Sequence, residues 1–119
     1  MRTPKEVALS VAKALDEKKG IDIQILKIDR VSSLADYFVI CTGTASTHVR
    51  ALCDAAQYAM EQLGEPMLSR EGHRGNSWEL IDYGSVVVHV FTEEARSFYD
   101  LERLRSDAEL VRLTDEGSK

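Results

Sequence analysis

No apolar run in this 119-residue chain approaches the roughly 18 to 20 residues that a membrane span needs. The N-terminal stretch MRTPKEVALSVAKALDEKKG also lacks the long apolar core of a secretory signal, and its acids argue against a transit peptide, so the expected location is the cytoplasm. Cysteine is scarce. The two present, Cys41 and Cys53, fall in a strand-like and a helix-like run where small apolar residues would serve, so they read as reduced core residues. The three histidines, His48, His73 and His89, are far apart, and none is followed by a second histidine or cysteine at i+3 or i+4, which excludes a sequence-local metal site. No metal and no cofactor is expected. Basic residues are outnumbered, 15 against 20 acids, for a net charge of −5; that field repels nucleic-acid phosphate and suits a basic protein partner. Internal repeats are absent.

What is present suits one domain with a real core. Thr3-Pro4-Lys5-Glu6 has the spacing of a capping box with proline at the first helical position, and Val7, Ala8, Val11, Ala12 and Leu15 form one face of a helix ending near Lys19. Ile21 to Asp29 reads as a strand near a sheet edge, with alternating Ile21, Ile23 and Ile25. Tyr37 to Thr42 is almost continuously apolar, as an interior strand is. The Gly43–Ser46 loop then leads into a helix from about His48 to Leu63, with Val49, Leu52, Cys53, Ala56, Met60 and Leu63 on one stripe. Pro66-Met67-Leu68 can supply a short strand, and Glu71 to Ser77 reads as loop.

Trp78 to Phe91 reads as a hairpin that turns at Asp82-Tyr83-Gly84, with Val86 to Phe91 covered on both faces. A third helix opens at Thr92 and runs through Leu104. DAELVRL fits either a last helical turn or an extended piece, and the tail from residue 109 is expected to be partly disordered. The order implies α/β or α+β architecture: about five strands in a mixed sheet with helices packed on it, the domain covering residues 1–108.

Few residues offer chemistry. The Gly43–Ser46 loop, between a strand and a helix, is the one physically sound anion site, but neither the Walker lysine nor GxGxxG accompanies it, and Asp22, Asp29 and Asp54 lack the spacing of a Mg²⁺ carboxylate pair. Cys41 as a nucleophile would need His89 in reach; its apolar neighbours favour an inert thiol. His89 falls on one strand face with Val87 and Phe91, as a hydrogen-bonded histidine at the core's edge or as a partner contact. Glu93-Glu94 suits a helix start. Trp78, Tyr83 and Tyr99 are either core aromatics or, with Glu79, Asp82 and Glu102 nearby, anchors for a basic protein.

Together LADYFVICTGTAS at 34–46, EG at 71–72, WELIDYGSVVVHVF at 78–91 and E-x-R-x-FYDLERL at 94–104 resemble the ribosomal silencing factor family, also called RsfS or Iojap. The resemblance spans about residues 5–108. It implies a nucleotidyltransferase-like fold without the catalytic carboxylates, and no enzymatic activity. It further implies binding to the large ribosomal subunit through ribosomal protein L fourteen on the intersubunit face, blocking subunit joining and repressing translation, with homodimer formation between copies. Carried to this sequence, the partner-binding residues are Trp78, Asp82 and Tyr83, then Tyr99 and Glu102. This chain departs from the family pattern at Arg105, where many relatives carry tryptophan, and at Glu79, where an apolar residue is usual. The competing reading is a nucleotide-binding or nucleotidyltransferase-like enzyme built on the Gly43–Ser46 loop.

Overall fold

The computed structural model describes residues 2–29, 33, 35–73, 75, 77–99 and 109–111. The expected capping box opens it: Thr3 Oγ1 accepts from the Glu6 amide at 3.2 Å, and the Glu6 carboxylate accepts from the Thr3 amide at 2.8 Å. With two orphan amides satisfied, helix α1 runs over Pro4–Glu17. Its apolar stripe leads to β1 (Ile21–Lys27), β2 (Tyr37–Gly43), α2 (Ser46–Gln62), β3 (Ser69–His73), β4 (Trp78–Asp82), β5 (Val86–Thr92), α3 (Glu93–Tyr99) and β6 (Glu109–Val111).

The strands form one mixed sheet of order β3-β4-β5-β2-β1-β6. Only β2 and β5 run parallel, in register from Tyr37↔Val86 to Gly43↔Thr92; every other neighbouring pair is antiparallel. These two strands are central and almost wholly buried, as their almost continuously apolar sequences require. Alternation divides them between two cores. Tyr37, Val39, Cys41, Val86, Val88 and Val90 meet α1 and α2 on one face, while Phe38, Ile40, Val87 and Phe91 meet Ala95 of α3 on the other. Each fully buried Val, Leu or Phe in these layers contributes roughly 1.5–3 kcal/mol of transfer free energy.

Gly43 makes the tight exit from β2 possible: a Cβ there would stand 3.0 Å from the Val49 amide nitrogen. Gly84 turns the β4–β5 hairpin at φ +87, a conformation that other residues adopt only under strain, and its amide donates to Asp82 Oδ1 at 2.7 Å.

Four local expectations change. The strand looked for at 66–68 forms instead at Ser69–His73, so Glu71 to His73 belong to a strand and not to a loop. SREGH has no apolar alternation because β3 lies at the sheet edge, where backbone pairing with β4 is enough to hold it. Helix α2 begins two residues earlier than expected, at Ser46. The first strand is not the edge; β6 pairs outside it, Leu26 opposite Leu110, which makes six strands and gives the ELV of DAELVRL its extended alternative. The third helix is described as far as Tyr99, and its expected continuation through Leu104 lies outside the described residues, as do Arg105 and the final eight residues.

Glu79 has a structural role that its unusual identity does not suggest. It is buried (4% exposed) on the α2 side of β4, where its carboxylate accepts from Arg70 Nε at 2.9 Å; Arg70 Nη1 also lies 2.8 Å from Asp54 and 2.8 Å from Gln57 Oε1. The network ties β3 and β4 to α2. Arg70 is half-buried and keeps Asp54 and Gln57, so Glu79→Ala removes one charge-assisted hydrogen bond and is expected to destabilise the fold by roughly 2 kcal/mol. Urea unfolding checks this; a loss under 0.5 kcal/mol, about the effect of a neutral surface change, would contradict it.

Candidate protein-interaction surface

Residues 78, 80 and 82 share one face of β4 because side chains alternate along a strand. Trp78, Leu80 and Asp82 are half-buried, whereas Glu79 and Ile81 between them are buried against the other layer. The row lies on the same side of the sheet as α3, whose described residues pack on β5 and β2. Across the ladder β3 sets Ser69 opposite Asp82 and Glu71 opposite Leu80, and directly paired residues share a face. Glu71 is exposed. The flank therefore combines two large apolar side chains with two carboxylates.

Below this row lies an aromatic floor. Trp78 stacks on Phe91 at 5.3 Å and 22°, and on His89 at 6.1 Å and 23°; His89 lies 6.1 Å from Phe91 and meets Phe38 edge-on at 4.7 Å. Each such contact adds roughly 0.5–1.5 kcal/mol beyond area burial, which fixes the rigid end of Trp78. The expected hydrogen bond of His89 is absent: both ring nitrogens are buried without a partner. The β-strand places it among rings and aliphatic chains, and burial pushes its pKa down to about 4. His89 is neutral at pH 7.

The expected site residues thus separate. Trp78 and Asp82 stand in one row, about 13 Å apart at ~3.3 Å per residue. Tyr83 goes to the opposite layer and packs on the α1–α2 core; its phenol oxygen is buried without a hydrogen bond, and burial, then the charge of Glu61, raises its pKa to about 12. Tyr99 ends α3 with its side chain outside the described features, and Glu102 lies outside the described residues. Sequence reasoning missed Leu80 and Glu71, although the alternation 78-80-82 carried the signal for Leu80. It also missed Leu68, which is 66% exposed beside the hairpin turn, its amide donating to the Asp82 carbonyl at 2.8 Å.

The competing Gly43–Ser46 site has a different geometry. Thr44 and Gly43 line a crevice of about 510 Å³ at the ends of the two parallel strands, where α/β sheets commonly bind ligands. The groups a phosphate would use are already engaged. The Thr44 amide donates to His48 Nδ1 at 2.9 Å, which requires the Nε2–H tautomer and lets Nε2 donate to the Lys18 carbonyl at 3.0 Å. Buried Arg96 donates through Nη1 to the Asp22 carbonyl and Thr42 Oγ1 at 2.8 and 2.7 Å, with the Asp22 carboxylate 3.5 Å from Nη2. Glu93 adds a second carboxylate to the lining. Nor does Cys41 act with His89: they face opposite layers, and burial pushes the Cys41 thiol up to about 12.

The fold is that of a small α+β domain with one mixed sheet and helices on both faces. The whole chain, residues 1–119, matches the family described as "Ribosomal silencing factor during starvation". It is 38% identical over 109 residues to "Ribosomal silencing factor RsfS" of Bacillus subtilis, covering 92% of each chain. It is 30% identical over 93 residues to mouse "Mitochondrial assembly of ribosomal large subunit protein 1", covering 76% of this chain and 41% of that protein. Its structure is similar to a crystal structure of a Chromobacterium violaceum protein, with a TM-score of 0.83 and 33% identity over 87% of this chain and 86% of that one. The chain belongs to the ribosomal silencing factor family.

The buried imidazole also sets a pH dependence. The unfolded state takes up the His89 proton near pH 6.5 and the folded state only near 4, so the unfolded chain binds more protons in that interval and stability falls as pH drops through it. The fall attributable to His89 is about 3 kcal/mol at 1.36 kcal/mol per unit. Comparing urea unfolding of the wild type and His89→Leu from pH 7 to pH 4 checks it: the variant is expected to lose that part of the slope. Equal slopes would contradict the neutral, unpartnered imidazole.

Proposed function

We propose that this chain represses translation, without catalysis, by binding the large ribosomal subunit through ribosomal protein L fourteen on the intersubunit face and sterically blocking the small subunit. It acts in the cytoplasm. Family membership supports a ribosomal role, and the name of the mouse relative points to the large subunit. The observation that carries the mode of action is the half-buried Trp78–Leu80–Asp82 row on one face of β4, with exposed Glu71 beside it. An aromatic anchor held by stacking, ringed by carboxylates, is the composition that binds a basic protein surface. Occlusion then requires only affinity and bulk.

Tyr83 contributes from beneath the turn, by supporting the hairpin, and Asp82 Oδ1 is used within the turn, which leaves Oδ2 for a cation of the ribosomal protein. Tyr99 and Glu102 are proposed as flanking contacts. Pairing of two copies would run through β3 or β6, the strands at the ends of the sheet, because β1 is enclosed between β2 and β6. The nucleotide reading gains nothing from the Gly43 crevice, where the Thr44 amide and Arg96 are spent on the protein itself.

Sedimentation with purified large subunits tests the proposal. Trp78→Ala is expected to weaken binding by about 2 kcal/mol, near thirtyfold, and to relieve inhibition of subunit joining in parallel. Asp82→Asn, which keeps the turn acceptor and removes the charge, is expected to weaken binding less and to flatten its salt dependence. Wild-type affinity in both variants would overturn the assignment of this surface.

A further inference from the structure

We infer that His89 is the recognition group at the centre of this surface, forming a hydrogen bond with a hydroxyl or carboxamide that the bound ribosomal protein inserts between Trp78 and Leu80. The inference rests on the function proposed above. Four observations carry it. The ring is only 5% exposed, and both its nitrogens lack a hydrogen-bond partner, a state that native cores avoid. Its strand neighbours on the same face, Val87 and Phe91, are apolar, so the fold itself calls for leucine or phenylalanine there. Its cross-strand partner is Leu80 and its stacking neighbour Trp78, the two half-buried apolar members of the candidate row. The polar group thus lies directly under the surface read as the contact, not deep on the α1–α2 side.

The chemistry of the inserted group follows from the imidazole. A neutral ring carries one donor and one acceptor and can exchange them by changing tautomer, so it satisfies either a donor or an acceptor from outside. A lysine or arginine would have to shed its water inside a box made by Phe38, Trp78 and Phe91. Such cations are better met at the rim by Asp82 and Glu71. A neutral hydroxyl or carboxamide enters at lower cost. Selectivity arises because a partner without that group leaves the imidazole unsatisfied in the complex as well.

The test uses the full chain and purified large ribosomal subunits, with thermal unfolding and subunit affinity measured for the wild type, His89→Leu, His89→Phe and Trp78→Ala. The two histidine variants differ in volume, so one that packs poorly does not decide the result alone. The expected result is divergence: an equal or higher midpoint of unfolding in the free protein, with about tenfold weaker subunit binding. A purely structural histidine would move stability and leave affinity unchanged. Unchanged or tighter binding by a folded histidine variant, while Trp78→Ala binds weakly, overturns this inference and spares the proposed function. Loss of the fold in both histidine variants also overturns it. No binding by the wild type overturns the proposed function and this inference with it.

Discussion

Everything in this structure depends on two parallel strands, β2 and β5, being buried on both faces. Their nearly unbroken apolar runs, Tyr37 to Cys41 and Val86 to Phe91 with only His89 polar, leave no polar side to give to solvent, so the chain has to supply a layer for each. Two long helices, α1 and α2, close one face, and Ala95 of α3 packs on the other. On that second face Trp78, Leu80 and Asp82 of β4 are half-buried.

On the α1–α2 side of the sheet charges meet one another: Arg70 binds both Glu79 and Asp54. At the strand ends Arg96 binds the Asp22 carbonyl where β1 departs from regular register and Asp22 takes φ +50, so a side chain meets a backbone group that the bulge removes from the ladder. On the other side of the sheet Glu71 stands opposite Leu80, and Asp82 lies two residues further along β4. On that side His89 is buried with neither ring nitrogen hydrogen-bonded among the described residues.

Much of this was legible in the sequence, for physical reasons that differ by element. The central strands declared themselves because burial on both faces demands apolar residues at almost every position, and the Thr3–Glu6 box because its chemistry is wholly local. Strand β3 was illegible: SREGH is held by hydrogen bonds to β4 from the backbone, which leave no trace in side-chain pattern. β6 pairs with β1 across more than eighty residues, so ELV could only be left open between turn and strand. The proposed anchors Trp78 and Asp82 fall in one row as parity requires, and the same parity would have named Leu80 between them. Tyr83 crosses to the other layer because the turn breaks the alternation. The missing hydrogen bond of His89 could not be read at all, since it depends on which atoms of Phe38 and Trp78, distant in sequence, surround the ring.

The central claim is that the β3–β4 flank, and not the crevice at Gly43, meets the ribosome. Amide hydrogen exchange of the full chain, alone and with purified large subunits, tests it most directly because it reports every backbone segment at once. The account predicts that binding slows exchange in Ser69 to Asp82 and leaves Gly43 to Ser46 unchanged. Protection of Gly43 to Ser46 with none at Ser69 to Asp82 would contradict it.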